Sequence, residues 1–402
     1  MHGPLRGLVV TDFSRAIAGP WATMILAEMG ATVIKIEQPG TGDEVRGWPP
    51  FIGDDQSNYF FANNRSKSSV AVDLKDERGR SIAFDLARTS DIVVENFTPG
   101  VIDRLELGYD HIAASNPGVI YASVSGFGQT GPYRERKGYD PVVQAMGGIM
   151  SVTGEADGLP CKTGVPIGDL GAALFAGQAI LASLYHRERT GEGQYIDVSM
   201  LDGQVSLLTV QAAIYLANGQ VPHRLGRAHP GRVPSTVFTT KDEKYVHLVA
   251  NDNQWPIFCE LLEVPELGQD PRFLKARDRV EHRDDIMPTL VDAVSRLTRD
   301  EVEARMHARN IPCGPVNDIS EVIEDPHVQE RGMVQSFEHP VAGSVRALGW
   351  PYRFSTLEVG ITSPPPLLGE HTRTILAEQL GFDRESLDEL EDSGVIQTAT
   401  AP

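Results

Sequence analysis

The first 200 residues alternate between short β-branched runs and helical patterns, and that rhythm constrains the chain more than any single motif. Residues 8–13 read as a strand, 21–29 as a helix and 32–37 (TVIKIE) as a strand of alternating character. Strand patterns recur at 69–74, 91–95, 119–124 and 195–199, with helical patterns at 77–88, 101–115 and 169–187. Such a βαβα order predicts an open parallel sheet covered by helices. The expected class is α/β, with a Rossmann-like open parallel sheet in a large domain.

From about residue 225 the texture changes. Residues 224–234 are rich in Arg, His, Gly and Pro, as in a linker, and strand patterns at 235–250 precede charged helical patterns at 254–310. The expected division is a large domain of residues 1–224 and 331–402, with a smaller α+β domain, 225–330, inserted. Two long uncharged stretches, 170–185 and 203–222, read as buried core helices. The first is too short to span a bilayer, and the second contains Gln204, Ser206, Gln211, Asn218 and Gln220.

Charge excludes some partners. Lys and Arg number 36 against 55 Asp and Glu, a net charge of −19, and that field repels nucleic-acid phosphate and anionic membrane. Cys161, Cys259 and Cys313 form no CxxC pair; scattered thiols suit a reducing compartment, so a cytoplasmic location is expected. The N-terminus lacks a basic segment followed by an apolar run, so no signal peptide is visible. The eleven histidines show no HExxH spacing and no GxSxG elbow occurs, so neither a metal site nor a serine hydrolase is expected.

Three features carry candidate chemistry. The first βα turn, Ile17-Ala18-Gly19-Pro20, has one of the three glycines of a dinucleotide fingerprint, so Glu37 at the end of the next strand is weak support for a nicotinamide enzyme. Asp169 follows Gly164-Val165-Pro166-Ile167-Gly168 and precedes an apolar helix. It reads as a helix N-cap. Backbone N–H groups and the helix end would also keep it ionised there, fit to attack a thioester carbonyl. Basic residues gather at Arg65, Lys67, Lys75, Arg104, Arg134, Arg136 and Lys137. Singly they are surface charges; at strand ends they would form a phosphate cradle.

Read in order, the motifs resemble the family III CoA transferases. The resemblance runs over nearly the whole chain: Ala18-Gly19-Pro20, Gly30-Ala31, Val33-Ile34-Lys35-Ile36-Glu37, Asn63-Asn64-Arg65-Ser66-Lys67 and Asn96-Phe97-Thr98-Pro99-Gly100 with Arg104. Gly126-Phe127-Gly128, Gly131-Pro132-Tyr133, Gly138-Tyr139-Asp140, the segment 164–169 and Thr190-Gly191-Glu192-Gly193-Gln194 follow. The resemblance implies that Asp169 is the catalytic aspartate, and that Ala18, Lys75, Asn96, Phe97, Arg104, Arg136, Lys137, Gly138 and Tyr139 line the coenzyme A site. It implies coenzyme A as a substrate with no prosthetic group, an acyl-CoA and a small carboxylic acid as partners, and an interlocked homodimer.

Departures bear on substrate. Formyl-CoA transferase carries Gln where Ile17 stands, Arg where Gln38 stands, and a glycine-rich loop where residues 250–254 run, which argues against oxalate and formate. The racemase branch carries His where Tyr139 stands, so an acyl-CoA racemase or isomerase is the alternative that lacks its base. The second half resembles the dicarboxylate-using branch, with Arg227, His229 and Arg232 as candidate clamps for a distal carboxylate.

Overall fold

The structure, a computed structural model, describes residues 3–399. These form two compact units. One comprises residues 3–149, Lys162–Asn218 and 330–399, and the other Met150–Cys161 and Gly219–Gln329. The second unit thus begins before residue 225 and takes in an excursion between two helices of the first. The excursion is stitched to the linker: Gly226 N–H donates to the Gly154 carbonyl at 3.0 Å, and the Arg224 guanidinium to that of Gly158 at 2.8 Å.

The first unit is built on a seven-stranded sheet. Its strands are β1 (Val9–Asp12), β2 (Thr32–Glu37), β3 (Lys67–Val72), β4 (Ile92–Glu95), β5 (Ile120–Ser125), β6 (Gln194–Ser199) and β7 (Ile396–Gln397), in the order β7-β3-β2-β1-β4-β5-β6. All pairs are parallel except β7, which adds antiparallel to the β3 edge. The inner strands are covered on both faces, which is why β4 and β5 are buried along their whole length. The order reverses between β1 and β4, and the loops after those strands diverge there to leave a crevice.

Four helices matter for the site: α1 (Ala18–Glu28), α2 (Glu77–Thr89), α3 (Asp140–Met146) and α4 (Ile167–Thr190). Helix α2 is capped by Asp76, which accepts the Arg78 N–H, and buries Ile82, Ala83, Leu86 and Ala87. Helix α4 buries a stripe of small residues, Ala172, Ala173 and Ala176, which lets α1 pack closely. By length and composition α4 could also cross a membrane; here it lies against the sheet, with Leu174 and Tyr185 exposed.

Two expectations are corrected. The helix expected over 101–115 is two pieces, Val101–Arg104 and Tyr109–Ser115, broken where Glu106 takes φ +59°. The stretch 203–222 is not a buried core helix. It bends between Met200–Leu207 and Thr209–Asn218, and the second piece buries no residue, Leu216 being 81% exposed. The tail contains a hairpin, Val334–His339 with Gly343–Leu348, that its Pro-rich surroundings concealed.

The second unit packs a three-stranded antiparallel sheet, Cys313–Pro315, Tyr245–Val249 and Ser235–Thr239, against helices whose core includes Trp255, Phe258, Leu290 and Val294. Arg279, fully buried, donates to the carbonyls of Val233 and Phe273 and to Asp252.

Beneath the crevice the first unit buries a balanced set of charges. Asp12 Oδ2 meets Lys67 Nζ at 3.0 Å, Lys35 Nζ meets Asp43 Oδ2 at 2.9 Å, and Arg46 holds Glu37 through two bonds of 2.7 Å. Burial alone would raise the Glu37 pKa, but Arg46, Lys35 and the Ser69 hydroxyl override it and hold it at about 2. Glu37 is therefore spent on the fold and is no ribose ligand. Because its folded pKa is depressed, its contribution is complete above the ordinary carboxylate range and fades as pH falls toward 2. Replacing Arg46 by Ala strands that carboxylate, and should lower the unfolding free energy by about 3–5 kcal/mol in denaturant titrations at pH 7.

Candidate active site

A cavity of about 580 Å³ opens in the crevice at the C-terminal edge of the sheet. Its walls are the loop after β1 (Arg15, Ala16, Ile17, Ala18), the loop after β4 (Asn96, Phe97, Thr98, Pro99), the loop after β5 (Arg134, Arg136, Lys137, Gly138, Tyr139) and the start of α4 with Asp169. Trp48, Tyr59, Asp140 and Lys162 complete it. Gly126 and Gly138 touch where the strand-end loop folds over; a Cβ on Gly126 would sit 2.6 Å from the Gly138 Cα, so neither position admits a side chain without moving the wall.

Asp169 is not the N-cap. Helix α4 starts at Ile167 after Pro166, which puts Asp169 in the first turn, and Pro166 supplies no side-chain cap. The cap is supplied by α3 instead. Asp140 Oδ1 accepts the Gly168 N–H at 2.8 Å, its Oδ2 accepts from Gln144 Nε2 at 2.8 Å, and Gln144 Oε1 accepts the Thr163 N–H at 2.9 Å. Two side chains one turn apart on α3 thus grip both ends of the segment 163–168 that leads to Asp169. A Cβ on Gly168 would lie 2.8 Å from Asp140 Oδ1, so glycine is needed for the grip.

The expectation that backbone N–H groups and the helix end keep Asp169 ionised near neutral pH meets two opposing effects. Burial, then the neighbouring Asp140 carboxylate, pushes it up to about 7. The positive end of the α4 dipole acts in the opposite sense.

Eight of the ten residues implied by the resemblance line this cavity: Asp169, Ala18, Asn96, Phe97, Arg136, Lys137, Gly138 and Tyr139. Lys75 and Arg104 do not; Lys75 is exposed on the loop after β3 and Arg104 at the end of the helix Val101–Arg104, both in the same unit. Of the expected phosphate cradle, Arg65 and Lys67 are used structurally. Arg65 pairs with Glu28 at 2.9 Å and Lys67 with Asp12, all four buried. The linker residues Arg227, His229 and Arg232 belong to the second unit and are absent from the cavity lining. There His229 Nδ1 accepts the Gly231 N–H and its carbonyl accepts from Arg283, bonds that shape the linker itself. The lining residues Arg15, Trp48, Tyr59 and Lys162 were not singled out from sequence. Only for Lys162, seven residues before Asp169, did spacing offer a hint.

A charged cavity beside a fixed carboxylate, at the switch point of a parallel sheet, suits covalent transfer from a polyanionic thioester. Residues 5–372 match the family model described as CoA-transferase family III. The chain belongs to that family. It is 41% identical to succinyl-CoA:glutarate CoA-transferase of Mus musculus, over 98% of this chain and 90% of the mouse protein. It is 38% identical to formyl-CoA:oxalate CoA-transferase of Streptomyces coelicolor, over 98% and 99% of the two chains. A CAIB/BAIF family protein from Brucella suis superposes with a TM-score of 0.86 at 39% identity, covering 94% of this chain and all of that one.

The family III transferase is therefore an enzyme that uses coenzyme A as substrate. For a nucleophile whose folded pKa is raised, activity grows as pH rises through that value. The acidic limb of kcat/KM should fall near pH 7, and Asp140→Asn should move it to lower pH by removing the nearest negative charge. Rate–pH profiles of the two proteins check this. An unmoved limb would mean that another group controls it.

Proposed function

We propose that the enzyme moves CoA from an acyl-CoA donor to a small dicarboxylate through an aspartyl-CoA thioester on Asp169. The observation that carries the reading is the Asp169 carboxylate, its pKa raised, on the wall of a cavity that the cationic loop after β5 also lines. Ionised Asp169 attacks the donor thioester carbonyl, giving a mixed anhydride and CoA thiolate. The thiolate attacks the aspartyl carbonyl of that anhydride, expelling the donor carboxylate and leaving the thioester on Asp169. The acceptor carboxylate opens the thioester to a second anhydride, and the released thiolate takes the new acyl group, freeing Asp169. Every step exchanges one acyl bond for another, so the thioester energy is conserved.

Arg134, Arg136 and Lys137 suit the phosphates of coenzyme A. Arg136 is braced on the Tyr133 ring, 3.9 Å from its centroid. That leaves Arg15 and Lys162, also on the cavity wall, to meet the distal carboxylate of the acceptor. Among relatives, identity alone does not separate glutarate from oxalate, 41% against 38%. Ile17 on the wall favours the acid with the longer methylene chain, since an apolar side chain there contacts methylenes and offers no hydrogen bond to a second carboxylate close by. An acyl-CoA racemase is disfavoured because the lining carboxylates, Glu44, Asp140 and Asp169, have no histidine among the lining residues.

The enzyme acts, in this reading, as a homodimer. Support comes from the apolar side chains left exposed on Thr209–Asn218 and on the outer face of α4: Val210, Tyr215 and Leu216, with Leu174 and Tyr185. Light scattering behind size exclusion should give twice the chain mass, and Leu216→Asp with Val210→Asp should lower it.

Asp169→Asn should leave less than about a hundredth of wild-type transfer with the fold intact, since an amide cannot form the anhydride. Hydroxylamine added during turnover should label Asp169. Across acids of increasing length, glutarate and succinate should give the highest kcat/KM. Faster transfer to monocarboxylates would overturn the acceptor assignment alone.

A further inference from the structure

The two loops that part at the order reversal of the sheet are tied together by one side chain. Asn96 Oδ1 accepts the Arg15 N–H at 2.7 Å, and Asn96 Nδ2 donates to the Arg15 carbonyl at 2.7 Å. Both ends of the amide are thus spent on the backbone of a single residue across the crevice. The Arg15 guanidinium rests over the neighbouring Phe97 ring, 4.8 Å from its centroid.

The rest of the loop is held with equal completeness. Ser14 N–H donates to Asp12 Oδ1 at 2.9 Å, the Ser14 carbonyl accepts from Lys35 Nζ at 2.7 Å, and Ala16 N–H donates to Asp43 Oδ1 at 3.1 Å. Five successive backbone groups, from Ser14 N to Ala16 N, therefore have side-chain partners. Ala16 sits at φ +62°, a left-handed conformation that costs a non-glycine residue about 1 kcal/mol or more and persists only where its surroundings over-determine it. Gly19 makes the closure possible: a Cβ there would lie 3.4 Å from Asn96 Cγ and 2.2 Å from Ser14 Cβ. What this apparatus fixes is the segment Arg15, Ala16, Ile17 and Ala18, one whole wall of the cavity.

We infer that Asn96 is a positioning residue, whose amide sets the Arg15–Ala18 wall at the geometry acyl transfer requires instead of holding coenzyme A. The inference rests on the transferase reading and deepens it. Transfer brings the acyl group within bonding distance of a carboxylate twice per turnover, so a displaced wall lowers the chemical rate. Coenzyme A, gripped by the cationic loop, should remain bound.

The test compares wild type, Asn96→Ala and Asn96→Asp, using the donor and acid that the wild type turns over fastest. Asn96→Asp keeps the acceptor for Arg15 N–H but turns an acceptor on the Arg15 carbonyl, so it serves if the alanine variant folds poorly. For both, kcat should fall by about tenfold to a hundredfold, as expected of a displacement on the order of 1 Å. The Kd for coenzyme A by calorimetry should stay within about threefold, a change worth less than about 1 kcal/mol. Thermal unfolding should show the protein fully folded at the assay temperature. A Kd weakened in step with activity would make Asn96 a coenzyme A contact and overturn the inference. An unchanged kcat, or a loss matching the unfolded fraction, would overturn it equally. A wild type unable to transfer between any pair would remove the transferase reading and this inference with it, whereas the variant outcomes leave that reading standing.

Discussion

The site depends on the charges buried beneath it. Asp12 ends β1, Lys35 pairs in register with it on β2, and Lys67 begins β3, so three adjacent strands each send an ionised group into one water-free layer. Taking such groups out of water costs several kcal/mol each, and is tolerated only when opposite charges and hydrogen bonds use nearly every lone pair and proton. The layer meets that condition. Lys67 is held by Asp12, by Asn64 Oδ1 and by the Pro20 carbonyl; Thr23 adds a bond to Asp12. Burial and the nearby Lys35 lower Lys67 to about 8, while Asp12, which burial would raise, is drawn down to about 2 by Lys67 and Lys35. Two of the acceptors that satisfy this layer, the Ser14 and Pro20 carbonyls, belong to the loop and helix start that face substrate. Neutralising the layer and shaping the wall are therefore one requirement.

The same logic distinguishes the two carboxylates near the start of α4. Asp140 receives bonds from Gly168 and Gln144, whereas among the described residues no hydrogen bond offsets the burial of Asp169. Paired acids in unlike environments divide their roles, one structural and one chemical. A pKa near neutrality has a mechanistic use. A carboxylate held far below it would be a weaker nucleophile toward the donor thioester, so the first anhydride would form more slowly.

Much of this was legible in the sequence. The TVIKIE strand is found at its predicted bounds, and the doubly wound order follows from alternating strands and helices because parallel strands need helical crossovers. Asp169 was singled out because its glycine-rich approach and apolar helix are local. What was missed depends on pairs distant in sequence. Nothing local marks Arg65 as the partner of Glu28 or Lys67 as that of Asp12, so both were read as ligand-binding cations. Nor does composition distinguish a core helix from Thr209–Asn218, none of whose residues is buried by the described residues. The two-residue strand Ile396–Gln397 pairs across more than 300 residues and is too short to carry an alternating pattern.

In the proposed reaction the electrostatics of the cavity would also set the order of events. In the free enzyme an incoming dicarboxylate would meet Asp169 and Asp140 at the point of attack, with Glu44 on the wall. Two like charges about 4 Å apart at an effective dielectric near 20 repel by on the order of 4 kcal/mol, roughly a thousandfold in binding. An acyl-CoA avoids that penalty at its reacting end, since a thioester carbonyl is neutral and its negative phosphates can lie with Arg134, Arg136 and Lys137. Once Asp169 carries the thioester it is neutral too, and the acceptor carboxylate can approach the carbonyl it must attack. In the proposed reaction Asp169 would thus discriminate against the acceptor while free and admit it when loaded. A nucleophile that is itself a carboxylate supplies this ordering without any moving part.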